Sequence, residues 1–174
     1  LKMDDWGIDV VVAASHKGLM LPPGLTFVAV NDKAVQLIAK SKSPRYYFDL
    51  RMSKKAAAKT DTPFTPAIGI IVALNESLEI FRENGLRVLF DRYERLAKGT
   101  RAAALALGLG LYPDASCISN VLTAIKLPDN IDGTKVVKIM RDTHGISIAG
   151  GQSQLKGKII RIAHMGCISE EDII

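Results

Sequence analysis

A lysine follows an apolar run near the start of the chain. Residues 9–14 are rich in β-branched side chains, which predicts a buried strand, and Ser15, His16, Lys17 and Gly18 come directly after it. A strand end is where α/β sheets tend to place their chemistry, and removal from water lowers the pKa of a lysine. A lysine in that position could attack a carbonyl carbon and form a Schiff base. From the residues alone, a solvated turn lysine is the alternative interpretation.

Thr65 followed by Pro66 is typical of a helix start, with a hydroxyl cap and then proline at the first helical position. The open backbone N–H groups of a helix N-terminus, with hydroxyls nearby, suit a phosphate group. An ordinary helix cap is the alternative.

Arg161 lies within an apolar strand predicted over residues 158–166, between Ile160 and Ile162. The planar fork of a guanidinium matches a carboxylate with two parallel hydrogen bonds, and a buried arginine needs such a partner. Arg161 is therefore a candidate carboxylate-binding residue. An edge-strand arginine that points to water is the alternative.

Residues 5–30 resemble the lysine segment of class V aminotransferases, which depend on pyridoxal 5'-phosphate (PLP), and are most similar to the serine–glyoxylate and alanine–glyoxylate group. In that group the lysine of a Ser-Gln-Lys triplet carries PLP, and a Pro-Pro-Gly turn and a second strand follow. Here the triplet is Ser15-His16-Lys17, followed by a Pro-Pro-Gly turn at residues 22–24. The resemblance implies that Lys17 holds PLP and that His16 touches the cofactor phosphate where relatives use Gln.

Residues 161–166, Arg-Ile-Ala-His-Met-Gly, resemble the family's Arg-Ile-Gly-His-Met-Gly strand. The arginine of that strand binds the substrate α-carboxylate, which implies the same role for Arg161. Ala163 stands in place of the usual Gly and would tighten the backbone locally. We expect His164 to be a packing residue rather than a catalyst.

In the same group, a loop reaches across a homodimer to the partner's PLP phosphate, and the matching positions here are Thr62 and Thr65. Relatives often have Tyr at the first of these positions. Residues 46–49, Tyr-Tyr-Phe-Asp, match another stretch of the family. We expect these aromatic residues to fill the core, with a place beside the cofactor as the alternative.

The resemblance implies transamination between a small amino acid, serine or alanine, and a small 2-oxo acid, glyoxylate or pyruvate. It also implies an α/β fold, namely the C-terminal part of a fold type I PLP-dependent transferase. One rival is a lyase of the same fold, similar to cysteine desulfurases, which needs a mobile cysteine. Cys117 is predicted to begin a strand and Cys167 to follow the Arg161 strand, so neither lies in an obvious flexible loop. The other rival is a non-catalytic interaction module.

The composition fits a packed protein of 174 residues, with 48% hydrophobic residues and a net charge of +5. No apolar run is long enough for a membrane span, no signal peptide opens the chain, and two cysteines without ligand spacing indicate a reduced cytoplasmic setting and no metal site. Lys54, Lys55 and Lys59 form a local basic cluster. We interpret it as a solvated loop rather than a nucleic-acid or membrane patch.

The pattern of apolar residues and caps predicts helices and strands along the whole chain, with Asn31 or Asp32 as the cap of the first helix. The apolar stripes of the helices should face inward, and they include Leu37, Ile68, Ile71, Val72, Leu78 and Tyr93. Gly85 should close one long helix, and Gly145 should stop a later helix that begins after a turn with a helix cap at residues 128–133. The predicted helices are residues 31–41, 65–84, 86–107 and 133–143, and the predicted strands after the first two are residues 118–125, 146–149 and 158–166.

We expect two domains. Residues 1–85 would be the end of a large mixed-sheet PLP domain, and residues 86–174 a small α+β domain, with a helix at about 86–107 between them. The chain starts without Met and ends on an acidic helix start, so we expect a fragment cut at both ends. In the resembling family the acidic partner of the pyridine nitrogen and the ring-stacking group precede the lysine segment. We therefore expect this chain alone to be inactive.

Overall fold

The computed structural model describes residues 2–173. The chain divides into two compact units between Glu79 and Ile80, inside a long helix. This division falls a few residues before the domain boundary that the sequence suggested near Gly85, and the assignment of the two domains stays a prediction. The helices and strands are β1 Val10–Ala14, β2 Thr26–Val30, α1 Asp32–Lys40, α2 Leu50–Ala57, α3 Ile68–Asn84, α4 Leu86–Ala106, β3 Gly110–Leu111, β4 Leu122–Lys126, α5 Gly133–His144, β5 Ala149–Gly150 and β6 Ile159–Ala163.

The first unit is built on an antiparallel hairpin of strands β1 and β2, in which Val10 pairs with Val30 and Ala14 with Thr26. Helix α1 follows directly, and the Asn31 side chain accepts a hydrogen bond from the backbone N–H of Ala34, which confirms the predicted cap. Asp9 joins hairpin and helix, because its carboxylate accepts hydrogen bonds from the side chains of Asn31 and Lys33, at 2.7 Å each. The hairpin that carries the Lys17 turn is thus tied to α1.

Helix α3 starts later than the Thr65–Pro66 pattern predicts. It begins at Ile68, and its first N–H to C=O bond of helical spacing runs from Ile71 to Ala67, at 3.1 Å. Pro66 has no N–H to donate and restricts the residue before it to extended backbone, so Thr65 stays outside the helix. Within residues 2–173, no backbone N–H donates to the Thr65 hydroxyl. The predicted cap at Thr65 is wrong.

Much of the apolar surface of the first unit is exposed, contrary to the prediction of buried stripes. Val12 in β1 is 65% exposed and Val72 in α3 is 66% exposed. Periodicity correctly finds the apolar residues, but burial also requires a neighbouring surface, which the described residues do not supply on these faces. The predicted inward-facing residues that are exposed here are Val10, Val12, Leu37, Ile68, Ile71, Val72 and Leu78.

The aromatic residues of the Tyr-Tyr-Phe-Asp stretch lie at the surface, so the prediction that they fill the core is wrong. Phe48 is 84% exposed, and Tyr46 and Tyr47 pack against Phe64 with ring centroids 5.5 and 4.8 Å apart. Asp49 is buried and caps α2 by accepting from the Arg51 N–H at 3.0 Å. The side-chain hydrogen bond from Arg51 is the main reason that the pKa of Asp49 is lowered to about 2.

The second unit contains a four-stranded antiparallel sheet in the order β3-β4-β6-β5, as expected for a small antiparallel-rich sheet. Ala104 of helix α4 joins Ile125 and Ile160 of the sheet in the core. Asp132 caps helix α5 by accepting from the Thr134 N–H, and Gly145 ends this helix at φ 69°. The left-handed backbone there favours glycine, which explains the predicted stop signal.

Some boundaries in the second unit differ from the predictions. The strand predicted from Ile118 begins at Leu122, and the strand predicted at 146–149 is the two-residue β5, Ala149–Gly150. Cys117 ends a short 3-10 turn, Ala115–Cys117, and does not begin a strand. Asp114 caps that turn by accepting from the Ser116 N–H at 2.8 Å, so the chain is already committed to a turn there.

Within residues 2–173, no helix is long and apolar enough to cross a membrane.

Candidate functional site

Lys17 lies in the turn that leaves β1. The turn covers residues 15–19, and the Met20 N–H donates to the Lys17 carbonyl at 3.0 Å. The side chains of His16 and Lys17 are both exposed, so the partial removal from water expected for Lys17 is not present in the described chain. No carboxylate of the described residues forms an ion pair with Lys17, which leaves its amine open to a reactant.

Ser15 fixes the loop that contains Lys17. Its side chain is fully buried, and its hydroxyl donates to the Pro22 carbonyl at 2.7 Å and accepts from the Leu25 N–H at 3.2 Å. Its backbone N–H donates to the Leu25 carbonyl and its carbonyl accepts from Leu21. Ser15 therefore holds together the two ends of the loop of residues 15–25, and Lys17 lies exposed near the start of this loop.

Helix α3 contacts the same loop at two points. Gly24 has φ 147°, and a side chain there would overlap the Ile70 Cδ1 atom. The Ser77 hydroxyl donates to the Leu19 carbonyl at 2.6 Å. The backbone angle favours glycine at this position of the Pro-Pro-Gly turn, and a larger residue there would also require the Ile70 side chain to move.

Thr62 and Thr65 lie in the loop between α2 and α3, and both are exposed. The Thr62 hydroxyl donates to the Phe64 carbonyl at 2.7 Å, and its backbone N–H donates to Asp61. In this conformation the Thr62 hydroxyl proton is used within the loop. Binding a phosphate through that proton would require the Thr62 side chain to rotate.

Arg161 lies on β6, between β4 and β5, where it pairs with Ala124 and Ala149. An edge position is thereby excluded. Its Nε donates to the Gly150 carbonyl at 2.8 Å, and the side chain is half-buried. No carboxylate within residues 2–173 pairs with it. One edge of the guanidinium is thus anchored, and the Nη edge can receive a carboxylate.

Helix α4 holds the segment that follows β6. The Gly166 N–H donates to the Tyr93 hydroxyl at 3.2 Å, and Arg92 donates to the carbonyls of Gly166 and Ile168. Tyr93 is buried, as predicted from its place in the apolar stripe of α4. These contacts position the chain just beyond Arg161.

His164 is fully buried, which agrees with the expectation of a packing residue, and its backbone N–H donates to the Val121 carbonyl. Neither ring nitrogen has a hydrogen-bond partner among the described residues. Burial lowers the pKa of His164 because it disfavours the charged imidazolium, the charge of Arg101 adds to this, and the nearby backbone of Asn120 opposes it in part.

We expect His164 to make the folded state sensitive to acid. Because its folded pKa is below the ordinary value of 6.5, the unfolded chain takes up a proton first as pH falls below that value. The free energy of unfolding is therefore fully retained above about pH 6.5 as far as His164 is concerned. Below that pH it falls by at most about 1.4 kcal/mol per pH unit until the folded-state pKa of His164 is reached. Urea unfolding at pH 7.5 and 5.5 measures this.

The His164→Leu variant should lose this part of the pH dependence, because it cannot take up the proton. His144→Gln is the matched control, since His144 is exposed at the end of α5. An equal loss of stability with acid in wild type and His164→Leu would contradict the assignment.

The structure places the predicted residues at three positions. His16 and Lys17 share one turn, Thr62 and Thr65 share a second loop of the same unit, and Arg161 lies in the sheet of the other unit. Two serines fix the Lys17 loop, Ser15 and Ser77, and neither role was predicted from the sequence. The sequence signal that could have found them is a serine within or next to an apolar strand or helix, where its hydroxyl needs a hydrogen-bond partner if it is buried.

The chain is similar in sequence to curated proteins over almost its whole length. It is 42% identical to the soluble hydrogenase small subunit of Synechococcus sp. over 99% of the chain, and 36% identical to the L-aspartate–glyoxylate aminotransferase of Paracoccus denitrificans over 97%. It is 35% identical to the serine–glyoxylate aminotransferase of Arabidopsis thaliana over 99% of the chain. These alignments cover 44%, 43% and 44% of the relatives, so the chain spans somewhat less than half of their length.

The fold agrees with these similarities. The alanine–glyoxylate aminotransferase structure from Nostoc sp. superposes with a TM-score of 0.91 at 25% identity, covering 98% of this chain and 46% of that one. The α/β arrangement is therefore that of the matched part of fold type I PLP-dependent aminotransferases. The model of the aminotransferase class-V family matches residues 1–169. The chain belongs to the class-V aminotransferase family, whose members use PLP.

Proposed function

We propose that the complete protein carrying this chain catalyses transamination between a small amino acid, serine or alanine, and a small 2-oxo acid, glyoxylate or pyruvate. The observation that carries the proposal is the Lys17 turn. Its exposed amine has no ion-pair partner among residues 2–173, and it is presented by a loop that Ser15 fixes through a buried hydroxyl.

The residues present fit PLP. The Lys17 amine is available for covalent attachment of the cofactor aldehyde, and the exposed His16 imidazole beside it can donate to a phosphate oxygen. The tight Ser15 loop keeps the two side chains on one turn. PLP, when bound, supplies the electron sink that makes loss of the substrate Cα proton possible.

The chain's own residues would divide the remaining work. Arg161 binds the substrate α-carboxylate with its Nη edge while Gly150 holds its Nε, which sets the orientation of the amino acid. Lys17 would hold PLP through its amine, and the same amine, when free, would take the proton from the substrate Cα as a general base. Transamination then requires no further base from this chain.

The same proposal includes a cytoplasmic homodimer in which Thr62 and Thr65 reach the partner's cofactor phosphate. Both threonines are exposed, next to the surface aromatic cluster of Tyr46, Tyr47 and Phe64. Exposed aromatic residues of this kind favour burial in a protein interface. Rotation of the Thr62 side chain away from Phe64 would free its proton for the phosphate.

The choice of substrates rests on the names of the relatives. Glyoxylate is the acceptor in the names of the Paracoccus, Arabidopsis and Nostoc proteins, whereas their donors are aspartate, serine and alanine. A small donor is the simpler match for the site, because Arg161 accounts for its single carboxylate and a small side chain needs no second cationic partner. Aspartate is the donor to test against.

The test uses the complete protein loaded with PLP. Serine, alanine and aspartate are each added with glyoxylate, and glycine and the new 2-oxo acid are quantified by chromatography. We expect glycine to form with serine or alanine at least about tenfold faster than with aspartate. Faster turnover of aspartate would reject the donor assignment. Formation of alanine and of sulfide from added cysteine in the presence of a thiol reductant would favour the lyase alternative, and an unchanged cofactor spectrum with every amino acid would favour a non-catalytic module.

A further inference from the structure

The buried residue of α3 is polar. This helix carries Ile68, Ile71, Val72 and Leu78, all substantially exposed, yet Ser77 is only 5% exposed. A buried serine in a helix ordinarily bonds back to the carbonyl of its own preceding turn. The Ser77 hydroxyl instead donates to the Leu19 carbonyl, at 2.6 Å and 58 residues away in sequence. The buried residue of this helix therefore forms a hydrogen bond to the loop that contains Lys17.

The bond falls at the point where the loop backbone is strained. Met20, directly after Leu19, has φ 59°, a left-handed conformation that a non-glycine residue adopts only when its surroundings enforce it. Its N–H donates to the Lys17 carbonyl and so closes the turn that displays Lys17. Fixing the Leu19 carbonyl sets the orientation of the Leu19–Met20 peptide. Ser77 thereby constrains the turn at Leu19, one residue before the strained Met20.

From this geometry we propose that Ser77 is a positioning residue for Lys17. It holds the Leu19 carbonyl so that the lysine turn keeps one backbone conformation, while Ser15 holds the start and the end of the same loop. This inference rests on the proposed function only in taking Lys17 as the reacting lysine. The effect of Ser77 on the conformation of the loop does not depend on that assignment.

The first test measures the loop without any reaction. Amide hydrogen exchange is followed in the complete protein for the N–H groups of Met20 and Leu21, whose acceptors are the carbonyls of Lys17 and Ser15. In Ser77→Ala these two amides should exchange about tenfold faster, because one hydrogen bond is lost and the Leu19 carbonyl is left buried. Ser77→Thr keeps the hydroxyl and should restore slow exchange. Asn75→Ala removes an exposed polar side chain from the same helix and should behave as wild type.

The second test separates positioning from general stability. With the PLP-loaded protein, Ser77→Ala should lower kcat about tenfold and leave KM for the amino acid within about twofold, since Arg161 is untouched. Equal loop exchange in wild type and Ser77→Ala would overturn the inference, and so would faster exchange with kcat unchanged. If Ser77→Ala speeds amide exchange in the loop but PLP is attached to another lysine, the assignment of Lys17 in the proposed function is wrong, whereas the effect of Ser77 on the loop conformation is confirmed.

Discussion

Replacement of Lys17 by alanine is expected to abolish most of the transamination rate of the complete protein, with a loss of about 10²- to 10⁴-fold in kcat for the amino donor and glyoxylate. The reason is that, in the proposed function, a single amine serves both to attach the cofactor and to remove the substrate Cα proton. A stopped assay of glycine formation measures the loss.

Lys42→Ala is the matched control, because Lys42 is an exposed lysine of the same unit to which we assign no role. It should retain the wild-type rate. Activity of Lys17→Ala close to that of Lys42→Ala would remove Lys17 from the reaction.

The second large effect is expected at Arg161. Arg161→Lys should raise KM for the amino acid about tenfold to a hundredfold while PLP stays attached, because a single ammonium replaces a fork that can form two charge-assisted hydrogen bonds. The lysine also cannot reproduce both the bond to the Gly150 carbonyl and the contact with a carboxylate. Initial rates over a range of serine or alanine concentrations give this KM.

Arg141→Lys is the control in the same unit, since Arg141 is exposed on α5 and pairs with Asp142. Its KM should match wild type. An unchanged KM in Arg161→Lys would show that the carboxylate binds elsewhere. Loss of the cofactor in this variant would assign Arg161 to the cofactor site instead.

Local signals predicted much of the secondary structure. The Asn31 cap, the Gly85 break between the long helices and the Gly145 stop are all confirmed, because each depends on a few neighbouring residues and their backbone angles. The interior position of Arg161 was one of two alternatives from the sequence. Only the strand order decides between them, and pairing of β6 on both sides comes from residues far apart in the chain.

The errors have a common physical origin. Burial of an apolar stripe depends on which surface packs against it, so the exposure of Val72 and Phe48 could not be inferred from periodicity. The start of α3 was predicted too early because Thr65 and Pro66 fit the usual pattern of a hydroxyl cap followed by proline, whereas the backbone before Ile68 is non-helical. Ser77 was missed because its partner, Leu19, is distant in sequence and contributes only a carbonyl oxygen. Such contacts have no residue-type signature.

The attachment of PLP to Lys17 is the central claim, and borohydride reduction tests it most directly. The complete protein is loaded with PLP, reduced, digested and mapped by mass spectrometry for the pyridoxyl group. We predict the label on the peptide that contains Lys17, with Lys33 and Lys42 unlabelled under the same conditions. A label on a different lysine, or a reduced protein without any label, would contradict the account.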